Sequence, residues 1–290
     1  MRQPIPKLIS VIIPTYYRYI QIERLLNDLL SQSILPHEII VVDQTPKKEK
    51  PLNFYDNFIR NNVKVYYHNK ASLSAPRNFA AKKAKTDLLL FLDDDIIISE
   101  DFIKNHLEVF SENDVDVVNG GVSLGNSLPD NYPWDINSMD PVRFFLASPN
   151  FKWEGMSLGF TSGNGLIKKK IFLDVGGFDE RLPRMVDFEL GYRLFRAGAK
   201  IHYSGKPFAQ HLRSEGGSRK NIKNDISIIS AFYIHKKHFP GWITTQFYLK
   251  YIFGHLIERW SLKTLPKIIF RIFKFYFINK KVNNLLEDTK

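Results

Sequence analysis

The sequence of 290 residues contains no cysteine. A disulfide scaffold and a cysteine-based zinc site are therefore excluded. No stretch reaches the roughly 18 uncharged apolar residues that a membrane-spanning helix needs. No internal repeat or low-complexity segment occurs. Glycine is missing after the first apolar run, where "PTYYR" stands. That argues against a G-x-G-x-x-G dinucleotide fold. It also argues against a nucleotidyltransferase, for which a glycine-rich loop is expected there. The opening "MRQPIPKLISVIIP" has a short apolar run and no A-x-A-like cleavage site. It reads as a first strand rather than a signal peptide.

What is present is an ordinary globular composition with a basic excess. Hydrophobic residues make up 44% of the chain, enough for a substantial core. Lys and Arg number 41 against 30 acids, a net charge of +11. Such a balance suits nucleotides, nucleic acid or acidic lipid, and does not choose among them. A non-enzymatic basic binding protein would account for it equally well.

Apolar runs and helical spacings alternate over the first 120 residues. "LISVII", "EIIVVD" (Glu38–Asp43), "VKVYYH", "DLLLFLD" and "VDVVNG" read as strands, the first two covered on both faces. Between them, "IQIERLLNDLLSQ" places Ile22, Leu25, Leu26, Leu29 and Leu30 at helical spacing. "APRNFAAKKAK" reads as a helix with Pro76 near its start. "SEDFIKNHLEVFS" reads as a helix with Ser99 as N-cap and Glu100 and Asp101 in its first turn. This alternation predicts a mostly parallel sheet with helices on both faces. Ligands then bind outside the carboxyl ends of the strands. From Gly120 to about Thr161 the pattern gives way to an ordered loop region. Helical signals return in "KKKIFLDVGG" and "DFELGYRLFRAG", with Gly198 as the residue just past the second helix.

"LLLFLDDDIIIS" carries three consecutive carboxylates between two apolar runs. Strand alternation would send Asp93 and Asp95 to one side and Asp94 to the other. Two carboxylates about 4 Å apart repel by ~1 kcal/mol in water and ~4 kcal/mol near a protein surface. A divalent cation with oxygen preference would offset that, and such sites combine carboxylates with substrate phosphates. Helix capping does not require the triplet, because Ser99, Glu100 and Asp101 already serve the following helix. A metal-free cluster of raised-pKa carboxyls is the remaining alternative. The metal–diphosphate reading is preferred.

Together, "SVIIPTYYR", "IIVVDQTP", "SAPRNFAAKKAKTDLLLFLDDD", "GGFDE" and "VDFELGYRLFRAGAKI" resemble the family 2 glycosyltransferases. They stand in that family's order from about Ser10 to about His211. The resemblance implies a GT-A-type α/β fold: a Rossmann-like, mostly parallel sheet flanked by helices, with a C-terminal helical extension. Residues 1–120 would form the nucleotide-sugar-binding half and 121–220 the acceptor-binding and catalytic half of the same domain. Residues 221–290 would form the basic-aromatic extension.

The resemblance also assigns roles. Pro14, Thr15, Tyr16 and Arg18 would hold the nucleotide base and ribose. Asp43 would accept a hydrogen bond from the base; Gln44 stands where the pattern has a second Asp. Arg77 would contact phosphate or base. Asp93 and Asp94 would lie on the nucleotide side, Asp93 toward the ribose. Asp95 would coordinate Mn2+ or Mg2+, and His211 would complete the metal site. Asp187 would be the catalytic base, in a motif where Val186 replaces the usual Glu. Glu189, Gly163 and Asn164 would line the acceptor side, with Trp153 and Trp134 as candidate platforms for a sugar face. "SEGGSRK" (Ser214–Lys220) is a candidate loop over the diphosphate or an ordinary surface loop.

The activity so implied is inverting, metal-dependent transfer of a sugar from a nucleotide-sugar donor, with a UDP-sugar as the expected case. The acceptor would be a hydroxyl of a glycan or lipid-linked molecule. Nucleic acid is not an expected partner. The setting would be the cytoplasm, with an anionic membrane surface as a further partner of the tail. There Lys263, Lys267, Arg271, Lys274 and Lys281 share one narrow helical face, while Ile268, Ile269, Ile272, Phe273 and Tyr276 cover the others. Docking of that helix on the domain, with its charged face in water, is the equal alternative.

Overall fold

The computed structural model describes residues 8–124, 154–157, 159–212, 225–253 and 265–287. The chain divides into two compact units, an α/β unit and a helical unit of residues 181–185 and 222 onward.

The α/β unit begins with β1 (Ile9–Thr15), α1 (Tyr19–Leu30), β2 (Glu38–Asp43), a 3-10 turn (Lys47–Glu49), α2 (Asp56–Ile59), β3 (Val63–Tyr67), α3 (Ala75–Lys83) and β4 (Leu88–Leu92). Then come β5 (Ile96–Ile98), α4 (Phe102–Glu112), β6 (Val117–Leu124), β7 (Gly155–Met156), β8 (Asn164–Lys168), α5 (Lys169–Asp174), α6 (Val186–Arg196) and β9 (Ile201–His211). The sheet order is β3-β2-β1-β4-β8-β6-β9-β5, with β7 paired to β9.

The β3-β2-β1-β4 portion is parallel throughout. Every residue of β2 and β4 is buried, as expected for strands covered on both faces. α1 buries Ile22, Leu25, Leu26 and Leu29 against the core. Each such side chain contributes about 1.5–3 kcal/mol. Beyond β4 the sheet is mixed: β8 runs antiparallel to β4 and β6, and β9 antiparallel to β5 but parallel to β6. The polar composition of β9, "IHYSGKPFAQH", hid this strand from hydrophobic pattern.

α4 starts differently from the expectation. Its N-cap position is Asp101, with no side-chain cap, and Glu100 and Asp101 precede the first turn. Ser99 follows β5 directly and offers its carbonyl, not its hydroxyl, to Phe102 N–H. The capping is done from a distance: Gln32 Oε1 accepts from Ile103 N–H at 3.0 Å, and Gln32 Nε2 donates to the Ser99 carbonyl at 2.7 Å. α6 ends as expected at Gly198, whose φ of +78° is in the left-handed region. There Ala199 N–H reaches back to the Leu194 carbonyl.

The helical unit contains α7 (Asp225–His238), α8 (Gly241–Phe253) and α9 (Leu265–Glu287). Phe232 stacks on Tyr248 with ring centroids 4.4 Å apart, and His235 stacks on Phe247 at 3.8 Å. On α9, Ile278 and Val282 point inward. Phe270, Phe273, Tyr276 and Phe277 point outward, each more than half exposed. Of the expected basic stripe, the side chains of Lys263, Lys267 and Arg271 lie outside the described residues, as do those of Ile268 and Ile269. Lys274 and Lys281 border the exposed aromatics. No helix among the described residues is long and apolar enough to cross a membrane.

Candidate active site

β1 ends at Thr15, and the chain turns sharply before α1. Tyr17 makes that turn at φ 58°, where glycine is the usual occupant. Such a residue costs on the order of 1–3 kcal/mol and persists only when its surroundings hold it. Here Tyr17 N–H donates to Thr45 Oγ1 at 3.0 Å, and its hydroxyl donates to Glu49 Oε2 at 2.7 Å. The turn delivers Tyr16 and Arg18 to a cleft at the strand ends, lined also by Pro14, Thr15, Gln44 and Arg77.

The carboxylate triplet occupies the turn between β4 and β5 on the same cleft. Its three members separate. Asp94 turns back to β1, accepting from Thr15 Oγ1 at 2.8 Å and from Arg18 Nη1 at 2.8 Å. Burial pushes its carboxyl up to about 6 despite Arg18. Asp93 accepts from Arg77 Nη2 at 2.5 Å, while Arg77 Nη1 is held by the Leu73 carbonyl at 2.6 Å. Asp95 Oδ2 lies 2.7 Å from Arg18 Nη1.

His211, the last residue of β9, meets the triplet because β5 follows it directly and pairs with β9, placing Ile96 opposite His211. Its Nδ1 lies 3.1 Å from the Leu212 carbonyl, which holds the ring proton there. Its Nε2 lies 3.2 Å from Asp95 Oδ1 and 3.7 Å from Asp93 Oδ2. Protonated, the imidazole pairs with these carboxylates; neutral, its Nε2 offers them a lone pair that a shared cation would accept. One ligand atom from each of Asp93, Asp95 and His211 falls within 4.8 Å of the others. Two carboxylates and one imidazole suit Mn2+ or Mg2+, the nitrogen favouring Mn2+. The residues fit the ion.

Asp187 opens α6. Its neighbours place it beside the triplet: Ser162 donates to it, and Arg77 and Asp93 act on it electrostatically. A helix N-terminus would lower its pKa. Burial outweighs that and pushes it up to about 6. Its Oδ1 is buried with no hydrogen-bond partner among the described residues. α6 approaches because Gly191 packs on the chain at 159–160, where an added Cβ would lie 2.8 Å from Phe160 N. Asn119 fixes that segment, donating to the Gly159 carbonyl and accepting from Thr161 N–H. Ser162, which sequence reasoning missed, carries no signal in the pattern beyond its place in "TSGNG".

Several expected contacts are taken up by the protein itself. Asp43 is 0% exposed. Its Oδ1 accepts from Thr45 N–H at 2.8 Å, and its Oδ2 from Tyr19 and Tyr55 hydroxyls at 2.9 and 3.3 Å. A base has no access to it; Gln44, one residue on, lines the cleft instead. Asn164 is also 0% exposed. Its amide donates to the Gly121 and Pro207 carbonyls and its oxygen meets His106 Nε2 at 2.7 Å. It ties β6, β8, β9 and α4 together rather than facing an acceptor. Glu189 is clamped by Arg193, whose Nε lies 2.9 Å from both oxygens. Arg193 also donates to the Val175 and Gly177 carbonyls, so this pair fixes α6 to the preceding turn. Gly163 abuts the site, since an added Cβ there would lie 2.8 Å from Asp93 Oδ2. Trp153, Trp134 and Ser214–Lys220 lie outside the described residues.

Comparison with known proteins follows the same lines. An uncharacterized glycosyltransferase of Rickettsia conorii is 24% identical over 239 residues, 79% of this chain and 38% of that protein. The O-antigen chain rhamnosyltransferase RfbN of Salmonella typhimurium is 24% identical over 218 residues, 70% of this chain and 66% of that protein. Against the curated relatives from Rickettsia conorii, Haemophilus influenzae and Myxococcus xanthus, the chain spans 38%, 62% and 16% of their lengths. Among solved structures, Staphylococcus aureus TarS 1-349 in complex with UDP-GlcNAc superimposes with a TM-score of 0.61 at 19% identity, covering 96% of this chain and 83% of that one. GalNAc-T7 with UDP, GalNAc and Mn2+ gives 0.63 at 16% identity, covering 90% and 53%. These likenesses show a shared GT-A-type fold. The family model described as glycosyl transferase family 2 matches residues 10–176, more than half of the sequence, and the chain belongs to that family.

Proposed function

We propose that this protein transfers a sugar, with inversion, from a nucleoside-diphosphate donor to a hydroxyl of a glycan or lipid-linked acceptor. A UDP-sugar is the donor the reading favours. One observation carries it: Asp93, Asp95, His211, Arg18 and Arg77 converge on one cleft, with Asp187 coupled to Asp93 and Arg77. The structural neighbours add support, since TarS was solved with UDP-GlcNAc and GalNAc-T7 with UDP and Mn2+.

Asp93, Asp95 and His211 would hold Mn2+ or Mg2+. The chemistry such an ion supplies when bound is neutralisation of charge developing on the departing diphosphate. Arg18 bridges Asp94 and Asp95 and Arg77 pairs with Asp93, which gives the cleft two guanidiniums beside the diphosphate position. Asp187 takes the acceptor hydroxyl's proton as that oxygen bonds to the anomeric carbon and the bond to the diphosphate breaks. Its unpartnered Oδ1 is the acceptor atom this step needs.

The test pairs binding with turnover. In a thermal-shift panel of nucleoside diphosphates, stabilisation should require Mn2+. Asp187→Asn should retain that stabilisation and lose ~10²–10⁴-fold in transfer. Equal loss of both would remove Asp187 from the chemistry.

The exposed aromatics of α9 support a peripheral site at an anionic membrane surface. Phe270, Phe273, Tyr276 and Phe277 present apolar area, and Lys274 and Lys281 border it. Basic residues beside exposed aromatics match an anionic lipid surface. Flotation should show binding to phosphatidylglycerol vesicles over phosphatidylcholine, reduced in Phe273→Ser/Phe277→Ser. Equal binding by that variant would contradict the role.

A further inference from the structure

In the nucleotide-sugar reading, on which this inference rests, Arg77 faces the donor's diphosphate and Asp187 the acceptor's hydroxyl. The two must keep one separation for the acceptor oxygen to line up with the anomeric carbon. They stand on different helices, Arg77 on α3 and Asp187 at the start of α6. The turn at 175–180, which follows α5, is bonded to both.

From α3, the amide of Asn78 is fully engaged by that turn. Its Oδ1 accepts from Phe178 N–H at 2.8 Å. Its Nδ2 donates to the Phe178 carbonyl at 2.8 Å and to Glu180 Oε1 at 2.9 Å. Ser74, just before α3, adds a bond from its hydroxyl to the Asp179 carbonyl at 3.2 Å. Gly177 makes room for this contact: its φ of +67° is in the left-handed region, and an added Cβ would lie 2.6 Å from Asn78 Oδ1. From α6, Arg193 donates to the Val175 and Gly177 carbonyls. One turn therefore joins the neighbour of Arg77 to the helix of Asp187. Asn78 is buried, so water competes little for its bonds. Arg77 lines the cleft and Asn78 does not.

We propose that Asn78 is a positioning residue for the transfer step: through the 175–180 turn it sets the place of the base on α6 relative to the diphosphate-facing guanidinium on α3. Its loss should lower the rate of transfer more than the affinity for nucleotide, because Arg77 keeps its own bonds to Asp93 and the Leu73 carbonyl.

The test follows UDP release from UDP-glucose and UDP-N-acetylglucosamine by the full chain, with Mn2+ present and water as the acceptor. In that reaction a water oxygen bonds to the anomeric carbon, the bond to UDP breaks, and Asp187 takes the proton. Calorimetry of UDP with Mn2+ gives affinity separately. Asn78→Asp is isosteric: it keeps an acceptor for Phe178 N–H, loses the donor to the Phe178 carbonyl and sets a carboxylate against Glu180. It should lower kcat about tenfold or more, with UDP affinity within about threefold of wild type, and Asn78→Ala should do the same. Glu180→Gln alone preserves an acceptor for Asn78 Nδ2 and should stay within about threefold of wild type. Combined with Asn78→Asp, it supplies an amide that donates to the new carboxylate and should return about threefold or more of the lost rate. A kcat within about twofold of wild type in both Asn78 variants overturns the role. So does a loss of UDP affinity as large as the loss of kcat, or a double variant no faster than Asn78→Asp. In those cases an inactive Asp187→Asn leaves the base assignment standing. Full activity of Asp187→Asn, or no UDP release by wild type, overturns that assignment and this inference together.

Discussion

β2 and β4 are the two strands that flank β1, and both run out of the sheet into acid. At the end of β2, Asp43 is closed by the hydroxyls of Tyr19 and Tyr55 and by the backbone N–H of Thr45. At the end of β4, the triplet is met by two guanidiniums and by the His211 imidazole, whose Nε2 lies 3.2 Å from Asp95 Oδ1. The first set satisfies itself with neutral donors. The second gathers two carboxylates and an imidazole, with one ligand atom of each within 4.8 Å of the others. The difference lies in the partners: neutral hydroxyls and a backbone N–H at one end, and charged or metal-ligating side chains at the other.

The sharpest way to break this contrast is to alter one acid at each end. Asp95→Asn should lower transfer on the order of 10³-fold or more, since charge neutralisation at the diphosphate is worth several kcal/mol. Metal-dependent nucleotide stabilisation should vanish with it. If Asp95→Asn retains both, the open end is not the site.

The next effect is on pH. Asp187 must be ionised to take a proton, and burial raises its carboxyl to about 6. Below that value kcat/KM should fall about tenfold per pH unit, the limb expected of one essential base. The linkage has the opposite sign for stability. A raised folded-state pKa stabilises below the ordinary carboxylate range, and that contribution is lost as pH rises through about 6. Asp187→Asn should therefore be relatively more stable at pH 7 than at pH 4 when compared with wild type. A wild-type profile flat from pH 5 to 8 would contradict the base assignment.

Smaller effects belong to the closed groups. Asn164→Ala strands two carbonyls and His106, and should cost about 2–4 kcal/mol in denaturant unfolding, with kcat changed only a few-fold in the folded fraction. Asp43→Asn should cost about 1–2 kcal/mol and shift nucleotide affinity less than about threefold. A tenfold loss of nucleotide binding in Asp43→Asn would return Asp43 to the binding groups and dissolve the contrast.

The sequence made the open end legible through redundancy. Three adjacent acids between apolar runs marked the strand end, and Asp93 and Asp95 do lie together with His211 while Asp94 turns back to Thr15, although the triplet sits in a turn where strand alternation does not apply. The parallel half of the sheet was legible because its strands are buried on both faces. Asn164 and Glu189 were misread as acceptor contacts for a physical reason. Their partners are backbone carbonyls and an arginine one turn away, and motif order does not reveal burial. Asp43 is another such case, since its oxygens are taken by Thr45 N–H and two tyrosine hydroxyls. The start of α4 was missed because its cap comes from Gln32, about seventy residues earlier in the chain. β9 was missed because its register depends on three partners and not on its own apolar content.

The most direct test of the open end is an anomalous difference map from a crystal soaked with Mn2+ and a nucleoside diphosphate. The account predicts one strong peak among Asp93, Asp95 and His211, in contact with the diphosphate. A bound nucleotide with no peak among those three side chains, or a peak elsewhere in the cleft, would contradict it.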